Sequence, residues 1–542
     1  MKVGVFLLKT NGHSPVDLII NNRRRIEKVF AVVLILSLIC IPMVGVNYDL
    51  TKYLPDDSPS AQALDIMEKE FTYPGMGRVL LEDVTLYEAK NIKDRIADVD
   101  GVDMVMWCDT TTNIYGSSQF IDYEDIEDYY KDGDAYMDII FLEKDSSDRT
   151  HRAVREIEQI VGDRGCVAGS AVSDTNLGPT INAEIARVMV LAVIIIFLIL
   201  TLTTTSWFEP VLFLSVLGIA IVINMGTNII FGEISFLSNA VGAVLQLACS
   251  MDYSIFLLHA FTEEKANGAA PEQAMANALR SAFSSIGASG ATTIVGFLAL
   301  ALMRFGIGPD MGLVLAKGIA LSLVTVLLLM PALILRFQDV VEKTRHRPFI
   351  PGQWRKFGEF AYKIRKPVLA VVLVIILPCY VAQGMADFTY GNEAVGNSPG
   401  TPVYEAEQKM NEKFGQSNMM LALVPLDGNI TEKAMSEEIA DLPYVRYALG
   451  LASALPEGVP EEFLPESVTG MLHSENWARV IINVRSAGES DAAFAYADEI
   501  RAIIDKYYPG EQTYLVGVTP STQDIKAIIV PDNQLVNIVS LL

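Results

Sequence analysis

Cysteine, histidine and tryptophan are all scarce in this chain of 542 residues, which has five, five and four of them. So few cysteines exclude a disulfide-built scaffold. No Cys/His spacing of the kind that holds a structural metal occurs, and no metal or organic cofactor is expected. Positive charge is also in deficit. With a formal net charge of −24, a nucleic acid is not an expected partner. No nucleophile–base arrangement or glycine-rich phosphate loop stands out, which argues against an enzyme.

What the chain does have is apolar length. Hydrophobic residues make up 51% of it, and the mean hydropathy is +0.33 despite the strong acidic charge. The two properties are separated along the chain, as in proteins that share one sequence between a bilayer and water. Apolar runs cover 29–46, 188–202, 210–231, 234–258, 282–303, 311–335 and 367–385, and an eighth begins near Ile528. Each of the first seven approaches the roughly 20 residues that a helix needs to cross a membrane. The run at 29–46 is longer than the core of a signal peptide and no A-x-A site follows it, so it reads as a retained span. Cys40, Cys249 and Cys379 fall within these runs, where a small apolar side chain is their ordinary role.

Basic residues set the expected orientation. Arg23, Arg24, Arg25 and Lys28 precede the first run, and 336–366 is rich in Lys and Arg, so both segments are expected in the cytoplasm. The two long loops then face outward, and together they carry more than the whole negative excess.

Those loops repeat one pattern. In the first, strands at 78–81, 104–107, 135–142 and 166–171 alternate with helices at 86–98 and 148–161 in the order βαββαβ, the ferredoxin-like plan. In the second, 418–424, 445–449, 478–484 and 513–518 are strands, and 432–439 and 491–507 are helices. A helix precedes each set, at 61–71 and 403–414. In such a sheet the second and fourth strands are opposite edges, which keeps Cys108 and Cys166 too far apart to bond.

The fold class is therefore a polytopic α-helical membrane protein of about seven or eight spans, with two α+β ferredoxin-like extracytoplasmic domains. Its units are 1–28 cytoplasmic, 29–46 first span, 47–187 outer domain, 188–335 five-span bundle, 336–366 basic linker, 367–385 seventh span, 386–527 second outer domain and 528–542 start of an eighth span. The unit of one span and one outer domain begins twice in the same orientation, as in transporters built from parallel repeats. The second repeat breaks off inside an apolar run, so a truncated product is expected.

The residue most at odds with its surroundings is Asp252, in the run Met251-Asp252-Tyr253-Ser254. An ionisable group within a span costs at least about 2.5 kcal/mol and is usually kept for ion or proton work. Burial raises a carboxyl pKa, so Asp252 is expected to load and release protons. Tyr253 offers a hydroxyl to a carboxylate on another helix. The alternative is an Asp252 solvated at the cytoplasmic edge near His259 and Lys265. In the next run Gly287, Ser289, Gly290, Thr292 and Thr293 permit close helix approach and hydroxyl bonds across helices, for packing or for proton relay. Lys317 is expected to snorkel or to pair with Asp310 or Glu233. Asn224 and Asn228 read as packing groups or as pore lining. The segment 263–279 reads as an amphipathic helix on the membrane surface.

The stretch Ser250-Met251-Asp252-Tyr253-Ser254-Ile255-Phe256-Leu257-Leu258-His259 resembles the fourth-span motif of the resistance-nodulation-division (RND) superfamily, in its MMPL (mycobacterial membrane protein large) branch. Residues 288–300 and 313–333 resemble that branch's fifth and sixth spans. The resemblance implies a twelve-span, proton-driven exporter of lipids or other hydrophobic compounds. It also implies Asp252 as proton carrier with Tyr253 as its partner, and the proton gradient as sole energy source. In the family a second Asp-Tyr pair comes from a tenth span, which this sequence lacks. A homo-oligomer or a second polypeptide would have to supply it, or the chain is inert as given. Two other functions compete with export: a non-transporting receptor or scaffold like the sterol-sensing relatives, and a protein-export accessory.

Overall fold

The computed structural model describes residues 15–71, 75–110, 126–346, 354–383, 399–427, 429–454 and 472–541, with positions 385, 390, 469 and 470. Parts of the expected cytoplasmic N-terminus (1–14), of the basic linker (347–353) and of the stretch after the seventh span (386–398, except 390) lie outside the described residues.

Seven helices are long and apolar enough to cross a membrane, over Arg23–Met43, Ser170–Thr203, Glu209–Phe231, Phe236–Ala266, Pro271–Leu302, Ile307–Lys343 and Phe357–Gln383. The protein is a multi-pass membrane protein. We label the helices α1 (Pro15–Asn21), α2 (Arg23–Cys40), α3 (Pro59–Glu70), α4 (Leu86–Ala97), α5 (Asp148–Val161), α6 (Ser170–Thr203), α7 (Glu209–Thr227), α8 (Phe236–Ala266), α9 (Pro271–Ala299), α10 (Ile307–Lys343) and α11 (Trp354–Gln383). Four more follow, α12 (Pro402–Phe414), α13 (Asn429–Ala440), α14 (Asp491–Tyr507) and α15 (Val518–Leu541).

α10 is the axis of the bundle and packs on α2, α7, α8 and α9. Small residues let helices meet closely where hydrocarbon gives no hydrophobic drive. A Cβ on Gly226 of α7 would stand 2.3 Å from the Ser37 carbonyl oxygen of α2, and Ser37 is the buried residue of that helix. By contrast, none of the apolar stretch of α11 is buried.

The first apolar run does not extend to Val46. Gly45–Asn47 form strand β1, which pairs in parallel with β7 (Glu233–Ser235) ahead of α8. The second span starts earlier than its apolar run, since α6 is continuous from Ser170 and joins the bundle to the first of two α+β units, called outer here because they lie outside the bundle. The surface helix expected at 263–279 is instead the end of α8 and the start of α9. Ala274, Ala278 and Leu279 are buried in the bundle core. The eighth run belongs to α15, whose Asp532 turns inward and accepts from the backbone N–H of Arg304 (2.7 Å) and Phe305 (2.9 Å) just ahead of α10. The buried carboxylate satisfies two backbone donors of the turn that precedes the helix.

Each outer unit is an antiparallel sheet with helices after its first and third strands. The first has β2 (Met76–Leu81), β3 (Val102–Met106), β5 (Asp134–Phe141) and β6 (Gly165–Ala168) in the order β3-β5-β2-β6, with β4 (Tyr130–Lys131) beside β5. The second has β8 (Asn418–Pro425), β9 (Val445–Leu449), β10 (Trp477–Val484) and β11 (Tyr514–Gly517) in the order β11-β8-β10-β9. Counted within each unit, both orders are 4-1-3-2. β3 and β6, beside or within which Cys108 and Cys166 sit, are opposite edges.

The central strands β5 and β10 are buried along nearly their whole length, so both faces of each sheet need cover. Helices of the same unit supply one face. The other is covered by exchange between the units. Ala63 and Met67 of α3, with Phe71 just after it, join Leu421, Leu423, Ile481 and Val516 of the second sheet. Val403, Ala406, Met410 and Phe414 of α12 enter the core of the first, where Phe414 stacks on Tyr136 at 5.5 Å. Arg78–Glu407 (3.0 Å) and Lys413–Asp134 (2.6 Å) flank this second contact.

Candidate proton-relay site

α8 starts at Ser235, whose hydroxyl accepts from the Ser238 N–H (3.0 Å). Asp310 of α10 accepts from the Ser235 N–H (2.9 Å) and from the Ser238 hydroxyl, which fixes this end of α8 beside the outer units. Asp252 lies midway along the helix, about 24 Å from its first residue and about 21 Å from its last at the usual rise.

The direction in which Asp252 points was not legible in the sequence. Asp252 is exposed on the outward face of α8, in line with Ala248, Phe256 and His259. It makes no hydrogen bond or ion pair among the described residues, whereas Lys265, nearer the helix end, is paired with Glu342. Tyr253, one position on, is turned inward and 4% exposed, within the core with Leu257 and Phe261. The hydroxyl of Tyr253 makes no hydrogen bond among the described residues. Adjacent in sequence, Asp252 and Tyr253 thus serve different faces, because neighbours on a helix differ by about 100°.

α9 packs directly on α8. Its expected site residues divide in the same way. Gly290 is buried, and a Cβ there would meet the Leu323 side chain at 2.4 Å, so it is a packing position. Gly287 has nothing within 4 Å of such a Cβ, and the expected close approach does not occur there. Ser289 and Thr292 are exposed and Thr293 is partly so. Thr292 Oγ1 donates to the Ala288 carbonyl (2.8 Å) and Thr293 Oγ1 to that of Ser289 (3.1 Å). These residues are not hydrogen-bonded to Asp252. Bonds to its own helix let a hydroxyl remain in an apolar setting without a partner.

Lys317 departs from its expected pairing. Nζ donates to the Asn224 carbonyl (3.1 Å), Thr227 Oγ1 (3.1 Å) and Asn228 Oδ1 (2.5 Å), and lies 5.2 Å from the Phe231 ring centroid. Asp310 and Glu233 are engaged elsewhere, Glu233 with Lys52 at 2.6 Å. An ammonium at the last turn of α7 is favoured by the carbonyls that the helix leaves unpaired there.

A second titratable site lies outside the spans and had no sequence signal. Asp145 joins the first outer unit to the start of α6. Its Oδ1 accepts from the Met76 N–H (3.0 Å) and from Ser170 Oγ (3.0 Å), and nearby His151 Nε2 meets Asp174 Oδ2 at 3.0 Å. Desolvation pushes the Asp145 carboxyl up to about 7, against the two hydrogen bonds that lower it. A carboxyl raised on folding favours the folded state while protonated, and that contribution is lost as pH rises from about 4 to about 7. Undiminished, the loss would be about 4 kcal/mol. The residue is only part-buried, so solvent screening reduces it to about 1–2 kcal/mol. Asp145→Asn is expected to flatten this part of the stability–pH curve in thermal unfolding between pH 5 and 8. An unchanged slope would exclude Asp145 as its source.

The MMPL family profile matches residues 52–368. A putative membrane protein of Methanocaldococcus jannaschii is 38% identical over 106 residues, 20% of this chain and 26% of its own length. One of Streptomyces coelicolor is 23% identical over 435 residues, 75% of this chain and 58% of its own. The sulfolipid-1 exporter MmpL8 of Mycobacterium tuberculosis is 25% identical over 284 residues, 48% and 25% respectively. The chain thus covers less than two thirds of the length of each of these relatives. The matched family segment takes in both Asp252 and the polar face of α9, and runs over more than half of the sequence: the chain belongs to the MMPL family.

Proposed function

We propose that this protein takes part in proton-driven export of lipids or other amphipathic molecules, with Asp252 as proton carrier. The observation that carries the reading is a lone carboxylate midway along a spanning helix, exposed on its outward face with no partner among the described residues. Such a group is expensive in lipid unless another polar surface covers it. The exposed hydroxyls of Ser289 and Thr292 on the neighbouring helix extend the same requirement. A second set of helices, from another copy or another polypeptide, would cover this face and place a hydroxyl or carboxylate against Asp252. Protonation would then change the charge at that contact and so the preferred arrangement of the two sets. Tyr253, buried beside it, holds that stretch of α8 in register.

In this reading the two outer units are ferredoxin-like domains outside the cytoplasm, and the N-terminus is cytoplasmic. Their exchanged helices make them move as a pair, so a change in the bundle reaches both through α6. Similarity to a sulfolipid exporter supports a lipid-like cargo. The test is export of a fluorescent amphipathic lipid from cells or vesicles carrying the full chain. Export should require the proton gradient and cease when an ionophore collapses it. Export that persists without the gradient would overturn the reading.

A further inference from the structure

α8 has a second polar face, directed into the bundle. Gln246, Ser250 and Ser254 follow one another at intervals of four and are 2%, 0% and 1% exposed. Ser250 and Ser254 are each two positions from Asp252, hence about 200° around the helix from it. This column is therefore separate from the face that carries Asp252.

Gln246 is the centre of a buried network. Its Nε2 donates to the Gly318 carbonyl (3.0 Å) and to Ser322 Oγ (3.0 Å), and its Oε1 accepts from Asn224 Nδ2 (3.0 Å). A Cβ on Gly318 would stand 2.7 Å from Asn224 Nδ2, so the absence of a side chain there makes room for the amide pair. Asn224 also lends its carbonyl to Lys317.

Three buried oxygens of this core have no hydrogen-bond partner among the described residues: Asn224 Oδ1, Ser250 Oγ and Ser254 Oγ. Leaving such atoms dry costs about 1–3 kcal/mol each. Hydroxyls elsewhere in the bundle avoid that cost by bonding back to their own helix. Thr325 donates to the Leu321 carbonyl (2.7 Å), Thr227 to that of Ile223 (2.7 Å) and Ser215 to that of Val211 (2.8 Å). Ser250 and Ser254 point elsewhere. A polar site with several convergent partners is what an internal water requires.

We propose that the α7–α8–α10 core binds a file of water molecules at Asn224, Ser250 and Ser254, on the face of α8 opposite Asp252. From Gln246 to Ser254 the file spans about 12 Å of helix.

Accessibility to silver ion, which reacts with thiols in narrow aqueous paths, tests this. Single cysteines at Ser250→Cys and Ser254→Cys would be made in the full chain with its five native cysteines replaced by alanine. Both should react at least tenfold faster than Val326→Cys, an equally buried apolar position of the same core. Equal rates would overturn the proposal. The unmodified chain gives a second reading that does not depend on those variants folding. Hydroxyl radicals made from bound water by X-ray pulses should oxidise Leu247 and Leu257, three positions before Ser250 and three after Ser254, at least threefold faster than Leu329. All three are buried leucines, so equal oxidation would also sink the idea.

Discussion

Replacing Asp252 with asparagine is expected to abolish proton-coupled export, a loss of at least a hundredfold, with the amount of protein in the membrane unchanged. The substitution keeps the shape of the side chain and removes its ability to change charge. Because Asp252 makes no hydrogen bond or ion pair among the described residues and is exposed, no packing within the chain depends on it. Removing a charge from the middle of a span lowers the insertion cost by about 2–3 kcal/mol if anything. A fall in export therefore reports chemistry rather than folding. Asp252→Glu, which still titrates, should retain part of the export and shift its pH dependence. Full export by the asparagine variant would exclude Asp252 as the proton carrier.

Gly226→Leu should be the most damaging single change to the bundle. The position of a Cβ there, 2.5 Å from Ser37 Cα and 2.6 Å from its Cβ, allows no side chain unless α2 withdraws from α7. Overpacking usually costs about 1–3 kcal/mol, and a clash with backbone belongs at or beyond the upper end. A fall of roughly 5–10 °C in the thermal midpoint in detergent is expected, and Gly226→Ala should lie between that variant and the native chain. The effect should spread beyond α2, because α2 leads into β1 and so to the pairing with β7 ahead of α8. An unchanged midpoint would mean that α2 does not rest on Gly226.

Much of the architecture was legible because it follows from local periodicity. Apolar runs of bilayer length marked the spans, and α5, β9 and α14 have the bounds expected for them. The site was legible only by residue. Asp252 is conspicuous in its run, yet nothing local tells which way it faces until α10 occupies one side of α8. Gly287 and Gly290 look alike in sequence, and only Leu323 distinguishes them. By its sequence Lys317 could snorkel or pair with Asp310 or Glu233, and the structure gives it carbonyl, hydroxyl and amide oxygens.

Hydropathy and charge along the chain determined that this is a multi-pass membrane protein with two acidic units of repeated βαββαβ order, since a bilayer and a half-covered sheet each select residues within a short stretch. Only the tertiary structure decided that α3 and α12 are exchanged between those units, that Asp252 faces out of the bundle, and that Gln246, Ser250 and Ser254 face in. These are relations between segments tens to hundreds of residues apart. They depend on which neighbour buries a face, and no single stretch of sequence carries that information.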